Sequence, residues 1–259
     1  MKHLKILGLS TLIVATTALM ATGLAFRASD TDNRIESSAK ASYIFQTYLR
    51  GDDIKIESKA GAVTLTGTVA SPSHKFMAQE TVADLPGVTG VDNRLTLTGE
   101  PAAQNSDLWI WDKVKTTLLF HRSVSAANTE VSVKDGMVTL RGVAASGAER
   151  ELATEYVKDV DGVKGVDNQM TLSSVPETSS RTAGEKVDDA SITAQVKLAL
   201  LFHKSTSAIE TKIQTRHGVI TVRGQAKNAA EKQLVTKIAE DIHGVVGVQN
   251  EMTIESSNS

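Results

Sequence analysis

One short segment of this 259-residue chain concentrates the side chains best suited to binding a surface. It holds both tryptophans of the chain, Trp109 and Trp111, together with Lys113, Lys115 and Phe120. In a bilayer interface, aromatic rings lie at headgroup depth and lysine ammonium groups contact phosphates, each lysine contributing on the order of 1 kcal/mol. The segment therefore predicts a site for anionic phospholipid headgroups.

A helix divides these side chains between two flanks. Successive helical residues are about 100° apart, so Trp109 and Trp111 fall on opposite sides of a buried position. Lys113 and Phe120 share the flank of Trp109, and Lys115 shares the flank of Trp111. The alternative interpretation is that the tryptophans pack against a neighbouring domain. The two interpretations differ in which flank is exposed to solvent.

Other candidate sites lack the groups that catalysis would need. His121 and His203 stand at equivalent helix ends without a second ligand nearby, which predicts capping residues instead of metal ligands. The glycines end hairpins and helices instead of opening a helix after a strand, so no phosphate-binding loop is predicted. No nucleophile and base recur together. The sequence thus predicts a protein without enzymatic activity, metal or cofactor.

A unit repeated three times organises the chain. Its copies are predicted to occupy residues 32–99, 106–174 and 187–256, because turn-forming residues recur there in fixed register. An asparagine recurs as Asn93, Asn168 and Asn250. The glycines expected to have structural roles are Gly61, Gly67, Gly87, Gly136, Gly142, Gly162, Gly218, Gly224 and Gly244.

Each unit is predicted to fold in the order helix, strand, strand, helix, strand. In the second copy, an apolar helical stripe precedes two alternating segments joined by Asp135-Gly136, a strong hairpin signal. Ser146 and Glu149 then form a capping box that begins the second helix. The predicted fold class is α+β, with three tandem αββαβ domains after a signal peptide. Each domain is a three-stranded mixed sheet with two helices on one face.

The connections between the copies differ in length. The first, residues 99–105, is short, whereas the second, residues 173–186, is longer and rich in Ser, Thr and Glu. Because a shorter linker holds its ends closer together, we expect copies one and two to be more closely coupled than copies two and three.

The N-terminus predicts export. Lys2 and Lys5 precede an apolar run and small residues suited to cleavage, so residues 1–25 are interpreted as a signal peptide. An uncleaved inner-membrane anchor is the alternative. The chain has no cysteine, which excludes a lipoprotein anchor and disulfides. A formal net charge of −2 disfavours nucleic-acid binding. The predicted location is the periplasm.

Three sequence patterns resemble the BON domain, named for bacterial osmotically inducible periplasmic proteins and nodulation proteins. They are Asp135-Gly136-x-Val138-x-Leu140-x-Gly142, Gly162-Val163-x-Gly165-Val166-x-Asn168 and Asp189-x-x-Ile192-Thr193-x-x-Val196-Lys197. The resemblance implies an αββαβ fold, a periplasmic location, no catalytic activity, phospholipid binding and a role in envelope integrity under osmotic stress. The first copy departs most from these patterns.

The expected function is therefore non-enzymatic binding of phospholipid membrane surfaces in the periplasm, with a role in envelope integrity or osmotic stress. The alternative is a periplasmic adaptor or chaperone-like factor for envelope proteins, since an exposed sheet edge could receive an extended peptide. Dependence of binding on salt and on anionic lipid distinguishes the two.

Overall fold

The computed structural model describes residues 30–100, 102–173, 186–206 and 211–255. The predicted signal peptide, residues 1–25, lies outside these ranges. Within them, no helix combines the length and the apolar character that crossing a bilayer would require.

Each repeat folds in the predicted order, and the last strand is interrupted in all three, which confirms the α+β class. Domain 1 contains α1 (30–41), α2 (Tyr43–Thr47), β1 (Asp53–Lys59), β2 (Ala62–Val69), α3 (Pro72–Ala83), β3 (Gly90–Asn93) and β4 (Thr96–Leu97). Domain 2 contains α4 (Asp107–Phe120), β5 (Thr129–Lys134), β6 (Met137–Ala144), α5 (Gly147–Lys158), β7 (Gly165–Asn168) and β8 (Thr171–Leu172). Domain 3 contains α6 (Asp189–Phe202), β9 (Lys212–Arg216), β10 (Val219–Arg223), β11 (Gln225–Ala226), α7 (Ala229–Glu240), β12 (Gly247–Asn250) and β13 (Thr253–Ile254).

The sheets are mixed, as predicted. In domain 2, β5 pairs antiparallel with β6, and β7 and β8 pair parallel with β6. Val138 and Leu140 of β6 are fully buried with residues of both helices, whereas Met137 and Arg141 on the opposite face are exposed. The alternation follows from the two-residue period of a strand, which places one face on the core.

The hairpin turn of each domain is held by an aspartate at the start of its first helix. In domain 2, the Asp107 carboxylate accepts hydrogen bonds from the backbone N–H groups of Asp135 and Gly136, both at 2.8 Å. Asp32 and Asp189 make the equivalent contacts in the other domains. The recurring acid therefore positions a turn.

The glycines predicted to be structural all adopt positive φ. At Gly142 φ is +122°, and a Cβ would collide with the carbonyl oxygen of Asn128, the residue just before β5. Gly67 stands in the same relation to Asp53. Both residues combine a left-handed backbone with a close approach between strands, which only glycine accommodates.

The recurring asparagine fixes the interruption of the last strand. The Asn168 side-chain amide donates to the Arg150 carbonyl and the Thr154 hydroxyl, both at 2.8 Å on α5, and accepts from the backbone N–H of Met170 at 3.0 Å. It thus satisfies backbone groups that an interrupted strand cannot pair within the sheet.

Domains 1 and 3, which are the most distant in sequence, share one hydrophobic core, while domain 2 has its own. The short linker predicts closer coupling of domains 1 and 2 than of domains 2 and 3, and it does not predict this core shared by domains 1 and 3. The Lys197 ammonium of α6 lies 2.6 Å from the Glu80 carboxylate of α3, and the Thr193 hydroxyl lies 3.1 Å from Asp84. Surface complementarity outweighs linker length because loop-closure entropy grows slowly with loop length.

The first helix of domain 1 differs from those of domains 2 and 3 at the point where domain 3 contacts it. The first helices of domains 2 and 3 are continuous, but in domain 1 the helix breaks at Ser42. The backbone N–H of Tyr43 donates to the Asp188 carboxylate at 2.7 Å, and that of Ile44 donates to the Ser191 hydroxyl at 3.1 Å. Domain 3 therefore satisfies the first N–H groups of α2.

Domains 2 and 3 meet through an approximate twofold arrangement. The backbone N–H of His243 donates to the Phe120 carbonyl at 3.0 Å, and its counterpart, the N–H of Asp161, donates to the Phe202 carbonyl at 2.9 Å. Arg122 to Asp241 and Lys204 to Asp159 form a second reciprocal pair of backbone hydrogen bonds, both at 3.0 Å. Equivalent helix ends thus bind each other's loops.

Candidate functional site

The Trp109 flank of α4 faces domain 3 and is largely buried. Phe120 is 0% exposed and Lys113 is 8% exposed. The Lys113 ammonium lies 3.4 Å from the centre of the Trp109 ring and 3.1 Å from the Asp161 carboxylate. Burial lowers the pKa of Lys113, although Asp161 partly compensates. The burial of Lys113 and Phe120 favours the packing interpretation on this flank.

The Trp111 flank faces solvent along the free edge of β5. Trp111 is 38% exposed, and its indole Nε1–H donates to the Val131 carbonyl at 3.0 Å. The Lys115 ammonium donates to the Thr129 carbonyl at 3.3 Å. These two hydrogen bonds orient the ring and the ammonium on the same shoulder of domain 2 and occupy two carbonyls of an edge strand.

Two leucines that the sequence reasoning missed extend this flank. Leu108 is 60% exposed and Leu119 is 38% exposed. With Trp111 and Lys115 they form a row that we call the α4 stripe. The spacing of three or four residues was visible in the sequence as a second apolar row beside the core-facing one.

Domain 1 covers the first three positions of the corresponding row on α6, whereas Leu201, the counterpart of Leu119, is 42% exposed. Ala190 and Thr193, which take the positions of Leu108 and Trp111, are 6% and 0% exposed. Lys197, the counterpart of Lys115, forms the ion pair with Glu80. The same flank of the same helix is therefore a domain contact in domain 3 and an open surface in domain 2.

The corresponding row in domain 1 is polar. Asn33, Glu36 and Lys40 replace Leu108, Trp111 and Lys115. The Glu36 carboxylate accepts the backbone N–H of Ser58 at 2.9 Å, again on the edge of the first strand. Among the described residues, an exposed aromatic and apolar row on the first helix is specific to domain 2.

His121 and His203 cap the C-termini of α4 and α6, at the positions predicted from sequence. The His121 ring stacks on Tyr156 with centroids 3.8 Å apart, and its Nδ1 lies 3.0 Å from the Asp241 carboxylate of domain 3. The Tyr156 hydroxyl donates to the same carboxylate at 2.5 Å. Burial and this hydrogen bond raise the pKa of Tyr156. These groups join two domains, and no group of acidic and histidine side chains in the described ranges could hold a metal ion.

Three αββαβ modules, joined through helix flanks and helix ends and carrying one exposed aromatic row, define a tandem-repeat protein of small α+β domains. The family model described as the BON domain matches residues 31–99, 106–174 and 188–256. The chain belongs to the BON-domain family.

Two curated proteins are similar to this chain over long segments. Osmotically-inducible protein Y of Escherichia coli (strain K12) is 27% identical over 200 residues, which cover 77% of this chain and 96% of that protein. An uncharacterized protein in the gshII 5' region of Anaplasma centrale is 27% identical over 122 residues, covering 46% of this chain and 81% of that protein.

Solved structures match more weakly. CdsD, a structural protein of the type III secretion system of Chlamydia trachomatis, aligns with a TM-score of 0.25 at 14% identity, covering 88% of this chain and 94% of that one. The PrgH periplasmic domain aligns with a TM-score of 0.18 at 12% identity, covering 80% and 96%. Scores this low carry no argument about this chain.

Proposed function

We propose that this chain is an exported, non-enzymatic periplasmic protein of the osmotic-stress response, which binds anionic phospholipid surfaces through the α4 stripe. The name of its Escherichia coli relative, an osmotically inducible protein, supports the stress role. The exposure of Leu108, Trp111 and Leu119 beside Lys115 carries the lipid-binding part of the proposal.

The composition of the stripe suits a bilayer interface. A leucine side chain gains about 1.5–3 kcal/mol when it is fully removed from water, and Leu108 is the most exposed residue of the row. The Trp111 ring has an apolar body with its N–H already satisfied, which suits partial insertion at headgroup depth. Lys115 places its charge between the two apolar ends of the row, where lipid phosphates would lie.

The sizes of the side chains favour lipid over a docked helix. The α6 row that accepts α3 begins with Ala190 and Thr193, small residues that let two helices approach closely. Leu108 and Trp111 at the same positions project from α4 and would hold a helix apart. Fluid lipid adapts to projecting side chains, whereas close helix packing needs complementary ridges and grooves.

Co-sedimentation with vesicles tests the proposal. The mature protein would be mixed with vesicles of neutral lipid and of neutral plus anionic lipid, at low and at high salt. Leu108→Glu and Lys115→Glu are expected to reduce binding to anionic vesicles by roughly tenfold, equivalent to about 1.4 kcal/mol. Leu172→Glu and Lys134→Glu, at exposed positions of the same domain, are the matched controls and should bind like wild type.

Equal losses in the stripe variants and their controls would place the lipid site elsewhere. Absence of binding to both vesicles would sink the lipid proposal and favour the adaptor alternative. That alternative ranks second because Glu36 and Trp111 already occupy hydrogen-bonding groups on the free edges of β1 and β5. An added peptide strand would need such backbone groups.

A further inference from the structure

A cavity of about 260 Å³ lies between domains 2 and 3, beside their reciprocal hydrogen bonds. Thr117, His121, Tyr156, Asp159 and Val160 line it from domain 2, and α6 and α7 line it from domain 3. It is separate from the α4 stripe, because Thr117 and His121 are buried on another face of the helix.

The walls of the cavity are mainly apolar. Val160, Ala199, Phe202 and Ile238 are all buried, and partly buried Leu234 completes this lining. An apolar cavity of about 150 Å³ is already enough to bind benzene in a protein interior. The larger space between these domains therefore has room for a short hydrocarbon chain.

Two polar groups in the lining, the Thr117 hydroxyl and the Lys237 ammonium, are placed to orient a bound ligand. The Thr117 hydroxyl is buried and has no hydrogen-bond partner within the described structure, although buried polar atoms normally find one. Lys237 is the exposed member of the lining and marks the mouth. In the described ranges no carboxylate lies within ion-pair distance of its ammonium, whereas Asp159 at the same cavity is already paired with His203 and Lys204.

The approximate twofold relation between domains 2 and 3 does not extend to the polar lining of the cavity. Thr117 corresponds to Ala199 in domain 3, and Tyr156 corresponds to Ile238. Domain 2 therefore supplies most of the polar wall, and domain 3 supplies apolar surface, His203 and the lysine at the mouth. A ligand that matches this arrangement has an apolar chain and an anionic head.

We infer that the cavity between domains 2 and 3 binds a single-chain anionic amphiphile, with its hydrocarbon chain among Val160, Phe202 and Ile238 and its head at Lys237. This site is independent of the proposed membrane-binding surface.

Isothermal titration calorimetry with decanoate, below its critical micelle concentration, tests the inference on the full mature chain. Saturable binding is expected, with a strong preference over the cationic decyltrimethylammonium. Lys237→Glu should weaken decanoate binding by roughly tenfold, about 1.4 kcal/mol. Lys227→Glu makes the same charge change at an exposed position of domain 3 outside the cavity lining, and should bind like wild type.

Ala199→Phe fills the cavity from its domain 3 wall and should abolish binding. If that variant fails to fold, the comparison of Lys237→Glu with Lys227→Glu still decides the question. No saturable binding by wild type, or equal affinity of wild type and Lys237→Glu, would overturn the inference. Leu108→Glu should retain decanoate binding while losing vesicle binding, so failure here and failure of the proposed function are distinguishable.

Discussion

The first helices of domains 2 and 3 occupy the same place in the same fold, yet their outer flanks differ in solvent exposure. On α6 domain 1 covers all of the flank but its last position, and Ala190 and Thr193 are buried. On α4 the flank is open, and Leu108 and Trp111 are exposed at the equivalent positions. A single repeated surface therefore serves once to assemble the protein and once to face its surroundings.

The difference suggests how tandem repeats can divide their roles. Small residues on α6 permit close approach, and Lys197 meets a carboxylate on the helix that docks there. Large apolar residues on α4 preserve the lysine but forbid that approach. The contact and the open row thus differ in side-chain size at these two positions while the lysine is the same.

The largest expected effect on stability comes from a substitution in the covered flank of α6. Ala190→Trp should lower the free energy of unfolding by about 1–3 kcal/mol, because the added volume has no space beside domain 1. The matched change Leu108→Trp, at an exposed position, should alter it by no more than about 0.5 kcal/mol. Urea denaturation of both variants measures the contrast, and equal effects would contradict it.

The paired lysines give a smaller contrast. Lys197→Met leaves the partly buried Glu80 without its partner and should cost about 1–2 kcal/mol of stability. Lys115→Met removes only an exposed contact to a carbonyl and should cost less than about 0.5 kcal/mol. Thermal and chemical denaturation of the two variants would reveal whether the counterparts really differ.

Acidification should loosen domain 2 from domain 3 before it loosens domain 1. Burial lowers the pKa of His203 below its ordinary value of 6.5. The contribution of neutral His203 to stability is therefore complete above pH 6.5 and is lost as the pH falls. Burial of Asp241 raises its pKa, but hydrogen bonds from His121, Ser123 and Tyr156 outweigh burial and lower it. The contribution of Asp241 is thus present above 3.8 and lost in stronger acid.

At the contact between domains 1 and 3, acidification has the opposite effect on Asp84. Burial raises the pKa of this carboxyl and favours its neutral form, so protonation does not weaken the contact. Amide hydrogen exchange at decreasing pH would follow both contacts, after correction for intrinsic exchange rates. Protection of the His243 and Asp161 amides should fall before that of Tyr43 and Ile44. Simultaneous loss would show that the three domains open as one unit.

A small effect is expected from a substitution on the buried flank of α4. Lys113→Met should change stability by less than about 1 kcal/mol, since an apolar chain can replace a buried ammonium and Asp161 remains partly solvated. Vesicle binding by this variant should equal that of wild type. A large loss of vesicle binding would return the lipid site to the Trp109 flank.

Much of the fold could be predicted because its signals are local. Asp135-Gly136 sets a turn, Ser146 caps a helix through the N–H of Glu149, and Gly142 allows a close approach of strands. The role of Asn168 was harder to foresee, since its partners lie on a helix that precedes it in the chain. The candidate site was predicted in part: Trp111 and Lys115 are on the open flank, whereas Leu108 and Leu119 were missed.

Three copies of one αββαβ unit follow from the sequence alone, because the same turn, cap and glycine residues recur wherever the backbone adopts the same local conformation. Which flank of each first helix is exposed to solvent depends instead on how the domains pack together. That choice depends on contacts such as Lys197 with Glu80, between residues 117 positions apart. Burial of a helix flank is a property of two surfaces together, and neither surface alone specifies its partner.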